Sequence, residues 1–121
     1  MAKTILIIDD DAEYVEAVSN TLQARGYRTA SRPDAASGFT EAKASAPDLI
    51  ILDIMMTYDS EGLDMASKLS SDPATGRIPV LLVTGIRHPE DLPVAADSVR
   101  GYLEKPVSPD VLIAAVEKGL S

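Results

Sequence analysis

Cysteine is absent from the 121-residue chain, which excludes a disulfide framework, a thiolate metal site and thiol catalysis together. Tryptophan is absent too, and the aromatics (Tyr14, Tyr27, Phe39, Tyr58, Tyr102) are too scattered to form a platform on which bases could stack. A single histidine, His88, argues against a His-rich metal centre and against most His-dependent triads. Positive charge is scarce. Eleven Lys and Arg stand against 19 Asp and Glu, a formal net charge of -8 that repels a phosphate backbone or an anionic lipid surface. Direct nucleic-acid binding is therefore not expected. The N-terminal apolar run, Ile5 to Ile8, is too short for a signal peptide or a membrane span. No membrane insertion and a cytoplasmic location follow as expectations.

What is present fits one globular domain over residues 1–121: 45% hydrophobic and 25% charged residues, with 7 Gly and 8 Pro. Ile5–Ile8, Leu49–Leu52 and Val80–Val83 are continuous apolar runs of strand length, as strands buried on both faces require. Between them lies helical spacing. Ala12–Arg25 carries Val15, Val18 and Leu22 on one face, with Gly26 as a stop. Residues 27–31 read as a weaker strand. Pro33-Asp34 opens a helix to Ser45 with Ala35, Phe39 and Ala42 as its apolar stripe, weakened by about 1 kcal/mol at Gly38 relative to Ala. Residues 57–62 are loop chemistry; Leu63, Ala66 and Leu69 mark a third helix closed by Asp72-Pro73. Pro89 and Pro93 interrupt the next helical stretch, leaving a short helix at 92–98. Gly101–Glu104 is a last strand, and Ser108-Pro109-Asp110 starts a last helix whose apolar face is Val111, Leu112, Ala115, Val116 and Leu120. Five strands alternating with five helices predict an α/β fold, a doubly wound five-stranded parallel (βα)5 sheet of the flavodoxin type.

In such a sheet, ligands sit beyond the carboxyl ends of the strands where the strand order reverses. Strand one ends in Asp9-Asp10-Asp11, strand three in Asp53 and strand four in Thr84, while strand five runs into Lys105-Pro106. Each has an ordinary explanation when taken singly. Asp11, and Asp10 with it, suits the cap and first turn of helix one. Thr84 suits a strand, and Lys105 an exposed loop. Asp53, inside a long apolar stretch, is harder to explain, because an unpaired buried charge is expensive. Crowding Asp9, Asp10 and Asp53 together is unfavourable unless Lys105 and a divalent cation offset their repulsion. Oxygen donors without His or Cys select a hard ion, so the set predicts Mg²⁺ beside phosphate. A carboxylate there can attack a phosphoryl group to form an acyl phosphate, while Mg²⁺ and an ammonium stabilise the equatorial oxygens.

These stretches resemble the receiver domain of two-component response regulators, the CheY-like family. The resemblance rests on Ile5–Asp11, Asp48–Met56, Pro79–Gly85 and Gly101–Val107, in that order. It implies that Asp53 is the phosphoacceptor. Asp9, Asp10 and Asp53, with the backbone carbonyl of Met55, would hold Mg²⁺. Thr84 and Lys105 would contact the phosphoryl group, Lys105-Pro106 would be cis, and Tyr102 would swing inward as Thr84 moves. The implied partners are a sensor histidine kinase or phosphotransfer protein and a downstream protein, or an effector domain absent from this sequence. Catalysis is limited to the domain's own phosphorylation and dephosphorylation. The chain departs from the family pattern at Thr57, where Pro is usual, in the spacing of Asp53 to Gly62 and of Thr84 to Lys105, and at Pro93. The loop over the site is thus expected to be reshaped. Met55 and Ile86 offer no side-chain hydrogen bond to a hydrolytic water, which implies a long-lived phosphorylated state. Two alternatives remain at this level: a pseudo-receiver that binds partners without phosphorylation, and a haloacid-dehalogenase-like phosphatase using Asp9 as nucleophile.

Overall fold

The computed structural model describes residues 2–53, 61–85 and 98–121, without the side chains of 61–64 and 84. The chain runs β1 (Thr4–Ile8), α1 (Ala12–Ala24), β2 (Arg28–Arg32), α2 (Ala35–Ser45), β3 (Leu49–Asp53), α3 (Glu61–Ser71), β4 (Val80–Thr84), β5 (Val99–Glu104) and α4 (Pro109–Leu120). All five strands are parallel in the order β2-β1-β3-β4-β5. The chain leaves β1 toward one edge and returns to β3 on the other side, so the order reverses between them.

Side-chain alternation along the strands builds two cores, one on each face of the sheet. Leu6, Ile8, Ile50, Leu52, Val80 and Leu82 face α2 and α3, packing with Ala42, Met65, Ala66 and Leu69. Residues of the other parity, Ile5, Ile7, Leu49, Ile51, Leu81 and Val83, face α1 and α4 and pack with Val18, Leu22, Leu112 and Val116. Among the described residues no helix is long and apolar enough to cross a membrane.

Local chemistry sets the boundaries. Asp11 caps α1 by accepting from the Tyr14 amide, Asp34 caps α2 by accepting from the Ser37 amide, and Ser108 caps α4 ahead of Pro109. The Asp34 carboxyl is held below its usual range by the Ser37 backbone N–H and hydroxyl. Gly26 turns out of α1 with φ 89°, and the Tyr27 amide donates back to the Leu22 carbonyl. Tyr27 is thereby occupied in closing the helix. β2 consequently starts at Arg28 and runs to Arg32, one residue later than the 27–31 expected.

Three other expectations need correction. β5 begins at Val99 rather than Gly101, because the Val80 amide donates to the Ser98 carbonyl at 2.9 Å and an irregularity between Val80 and Leu81 carries the ladder on to Gly101. Glu61 and Gly62, expected as loop, belong to α3. On α4, Val111 is 52% exposed, while Ile113, absent from the expected stripe, is buried with Leu112 and Val116. The helix is rotated so that 112, 113 and 116 meet the sheet, leaving Ala115 and Leu120 at the margin. Four helices stand among the described residues; the short helix expected at 92–98, apart from Ser98, and most of the 57–62 loop fall outside them.

Gly38 has a packing reason the helical pattern hid. A Cβ there would lie 2.7 Å from Ile8 Cδ1 and 2.9 Å from Ile8 Cγ1. The residue reduces helix propensity and in exchange lets α2 approach the end of β1.

Candidate functional site

The register between β1 and β3 fixes the centre of the site. Ile8 is level with Leu52, so Asp9 and Asp53 leave the sheet side by side at the point of strand reversal. Both carry the parity of Ile7 and Ile51, which places them on the α1/α4 side. Both are buried, each at 4% exposure, whereas Asp10 is exposed. One oxygen from each of Asp9, Asp10 and Asp53 lies within 4.8 Å of the others.

Lys105 enters from the end of β5, beyond Leu103 of the same parity, with Lys105-Pro106 in the cis form. Its ammonium donates to Asp9 Oδ2 at 2.8 Å and to Asp53 Oδ2 at 3.4 Å. Burial alone would pull this ammonium down, but the hydrogen bond to Asp9 and the charges of Asp53 and Asp9 outweigh it and hold Lys105 above its ordinary value. Asp9 Oδ1 accepts from the Asp11 amide at 2.9 Å, so both oxygens of Asp9 are engaged. Asp11 itself is the helix cap, as expected; Asp10, expected with it as cap or first turn, lies ahead of the cap.

Tyr14, which sequence reasoning passed over, belongs to this site. The Lys105 ammonium sits 4.1 Å from the centre of its ring. Its hydroxyl is buried with no hydrogen-bond partner among the described residues. Burial first, then the charges of Asp9, Asp53 and Asp11, push its pKa up to about 12. The signal was present: Tyr14 stands four residues before Val18 and eight before Leu22, heading the stripe that α1 buries.

Asp9 and Asp10 open on a cleft of about 230 Å³ between the start of α1 and Arg32-Pro33. Arg32 does not reach across it, because its guanidinium is bound to Glu41 at 2.6 Å. The remaining expected residues are placed less closely. Thr84 ends β4 level with Glu104, and its side chain lies outside the described residues, as do Met55 and Ile86. Tyr102 is half-buried against the α2/α3 core, on the opposite face of the sheet from Asp9 and Asp53. The structure thus gathers Asp9, Asp10, Asp53 and Lys105 and does not bring Tyr102 to them.

Known proteins share this chain's family and fold. The family described as response regulator receiver domain matches residues 5–117. The chain is 30% identical over 121 residues to the DNA-binding response regulator MtrA of Mycobacterium tuberculosis, covering 99% of this chain and 51% of that relative. Against the phosphate regulon transcriptional regulatory protein PhoB of Pseudomonas aeruginosa, identity is 32%, covering 97% of this chain and 51% of the relative. The chain spans about half the length of these curated relatives. Among solved structures, a CheY-like response regulator receiver domain protein from Methanospirillum hungatei matches with TM-score 0.84 and 27% identity, over 99% of this chain and 94% of that one. The chemotaxis response regulator CheY4 of Vibrio cholerae matches with TM-score 0.87 and 26% identity, over 99% and 100%.

Proposed function

The chain belongs to the response regulator receiver domain family, the switch module of two-component signalling, and on that footing we propose that Asp53 is its phosphoacceptor. The meeting of Asp9, Asp10 and Asp53 where the strand order reverses, with the Lys105 ammonium bound to Asp9 and Asp53, is the observation that carries this reading. The Asp53 carboxylate attacks the phosphorus of a phosphohistidine on a sensor histidine kinase or phosphotransfer protein. An O–P bond forms as the N–P bond breaks, and the imidazole nitrogen keeps the electron pair.

Three carboxylates facing an incoming phosphoryl group repel it. Their all-oxygen donor set and close spacing fit Mg²⁺, which takes one or two carboxylates and completes its shell with water and phosphate oxygens. When bound, the ion offsets the charge of the carboxylates and of the transferring group. Asp9, Asp10 and Asp53 would hold it, and the family resemblance adds the backbone carbonyl of Met55. Lys105 would turn from the carboxylates to a phosphoryl oxygen, and Thr84 would donate to another. Tyr102 would then follow Thr84, shifting the population between two arrangements of the β5 face that a downstream protein or an output domain distinguishes. The domain catalyses only its own phosphorylation and dephosphorylation. With apolar Met55 and Ile86 flanking the site in sequence, the phosphoryl group is long-lived.

The test is intact mass after incubation with acetyl phosphate, with and without Mg²⁺, for the wild type and for Asp53→Ala and Asp9→Ala. One phosphoryl group that requires Mg²⁺ and is lost in both variants is the expected result. Uptake that persists in Asp53→Ala but needs Asp9 would transfer the acceptor role to Asp9. A wild type that never gains mass would leave a binding domain independent of phosphorylation.

A further inference from the structure

Lys105 reaches the carboxylates on a side chain with several rotatable bonds, donating to two acidic oxygens at 2.8 and 3.4 Å. The same ammonium lies over the Tyr14 ring, whose centre is 4.1 Å away, well inside the distance at which a ring face attracts a cation. A chain of contacts closes on itself here. Asp9 Oδ1 holds the Asp11 amide, the Asp11 carboxylate holds the Tyr14 amide at 3.2 Å, the Tyr14 ring backs Lys105, and Lys105 returns to Asp9 Oδ2. The aromatic face is therefore placed by the same carboxylate that the ammonium binds. The Tyr14 hydroxyl takes no part, being buried without a partner among the described residues. A buried polar group left unsatisfied calls for an explanation, and the ring supplies one: the side chain is there for its face.

We propose that Tyr14 is a positioning residue for Lys105, its ring seating the ammonium between Asp9 and Asp53 for phosphoryl transfer. This rests on the reading of Asp53 as phosphoacceptor. A ring face attracts a cation without demanding one hydrogen-bond direction, so Lys105 can turn from the carboxylates to a phosphoryl oxygen without leaving its seat. Tyr14 need not touch the phosphoryl group; it acts through Lys105.

The ring and the hydroxyl can be separated by substitution. Tyr14→Phe keeps the face, Tyr14→Leu keeps apolar bulk without it, and Tyr14→Met repeats the Leu test with a more adaptable filler. The first readout is the NMR shift of the Lys105 ε-methylene in the unphosphorylated, metal-free proteins. An upfield ring-current displacement in the wild type and Tyr14→Phe, absent in Tyr14→Leu and Tyr14→Met, is expected. The second is the rate of phosphoryl uptake from acetyl phosphate with Mg²⁺. Tyr14→Leu and Tyr14→Met should be about three- to tenfold slower than wild type, the loss of one partly buried cation–π contact, and Tyr14→Phe within about twofold. Wild-type rates in both aliphatic variants, or a methylene shift that ignores the substitution, would overturn the proposal. A wild type that takes up no phosphoryl group would defeat the reading of Asp53 and the role of Tyr14 with it. Normal uptake in every variant defeats the role of Tyr14 alone.

Discussion

The two faces of β1 end differently, although both are aliphatic, Leu6 and Ile8 on one and Ile5 and Ile7 on the other. On the α2 side, Ile8 meets Gly38 so closely that a single added carbon would lie 2.7 Å from its Cδ1. On the α1 side, the next residue of the other parity is Asp9, bound by Lys105, whose ammonium in turn lies over the Tyr14 ring. One side is closed by shape and the other is held by charge. The difference is what a site for a transient group needs: a fixed wall to set the position of the carboxylates, and opposite it a cation that can turn.

The comparison breaks most sharply on the charged side. Lys105→Met leaves Asp9 and Asp53 buried together without their ammonium, and stability at neutral pH should fall by about 3 kcal/mol, the usual cost of removing one partner from a buried pair. Urea unfolding measures it, and Mg²⁺ should return part of the loss by binding the native carboxylates. An unchanged midpoint would mean that the ammonium does not hold this side together.

The closed side is tested by Gly38→Ala. Helix propensity alone would make this substitution stabilising by about 1 kcal/mol. The contact with the fully buried Ile8 reverses the sign, and a net loss of about 1–2 kcal/mol is expected. Ile8→Val removes the nearest carbon and should recover part of that loss in the double variant. A more stable Gly38→Ala protein would show that the wall has slack.

The smallest effect carries the opposite sign. Tyr14→Phe removes a buried hydroxyl that has no partner among the described residues, so thermal or urea unfolding should show a gain of about 1 kcal/mol. A loss of that size would mean that the hydroxyl has found a partner, and the contrast between the two faces would weaken accordingly.

Much of this was legible in the chain because strand parity carries it. The runs Ile5–Ile8 and Leu49–Leu52 announce doubly buried strands, and counting by two places Asp9 and Asp53 on one face before any contact is known. Lys105 follows by the same count from Leu103. What was hidden depends on contacts between distant segments. The glycine at 38 looks like a weakness in a helix until Ile8 is set against it. The β5 ladder reaches back to Ser98 only through an irregularity that no local pattern announces. Val111 and Ile113 exchange places with a small rotation of α4, which a stripe of similar aliphatic residues does not specify. Tyr14 had the spacing of a core residue and was legible as one; its second role appears only when Lys105, 91 residues away by numbering, is laid across it.

The central claim is that the phosphoryl group is carried by Asp53, and locating the modified carboxylate tests it most directly. Borohydride reduces an acyl phosphate to the alcohol, so protein treated with acetyl phosphate and Mg²⁺, then reduced and digested, carries homoserine wherever the group had been. The account predicts homoserine at position 53 alone, dependent on Mg²⁺. Homoserine at position 9 or 10, or its absence from position 53 in protein that has gained the phosphoryl mass, would contradict it.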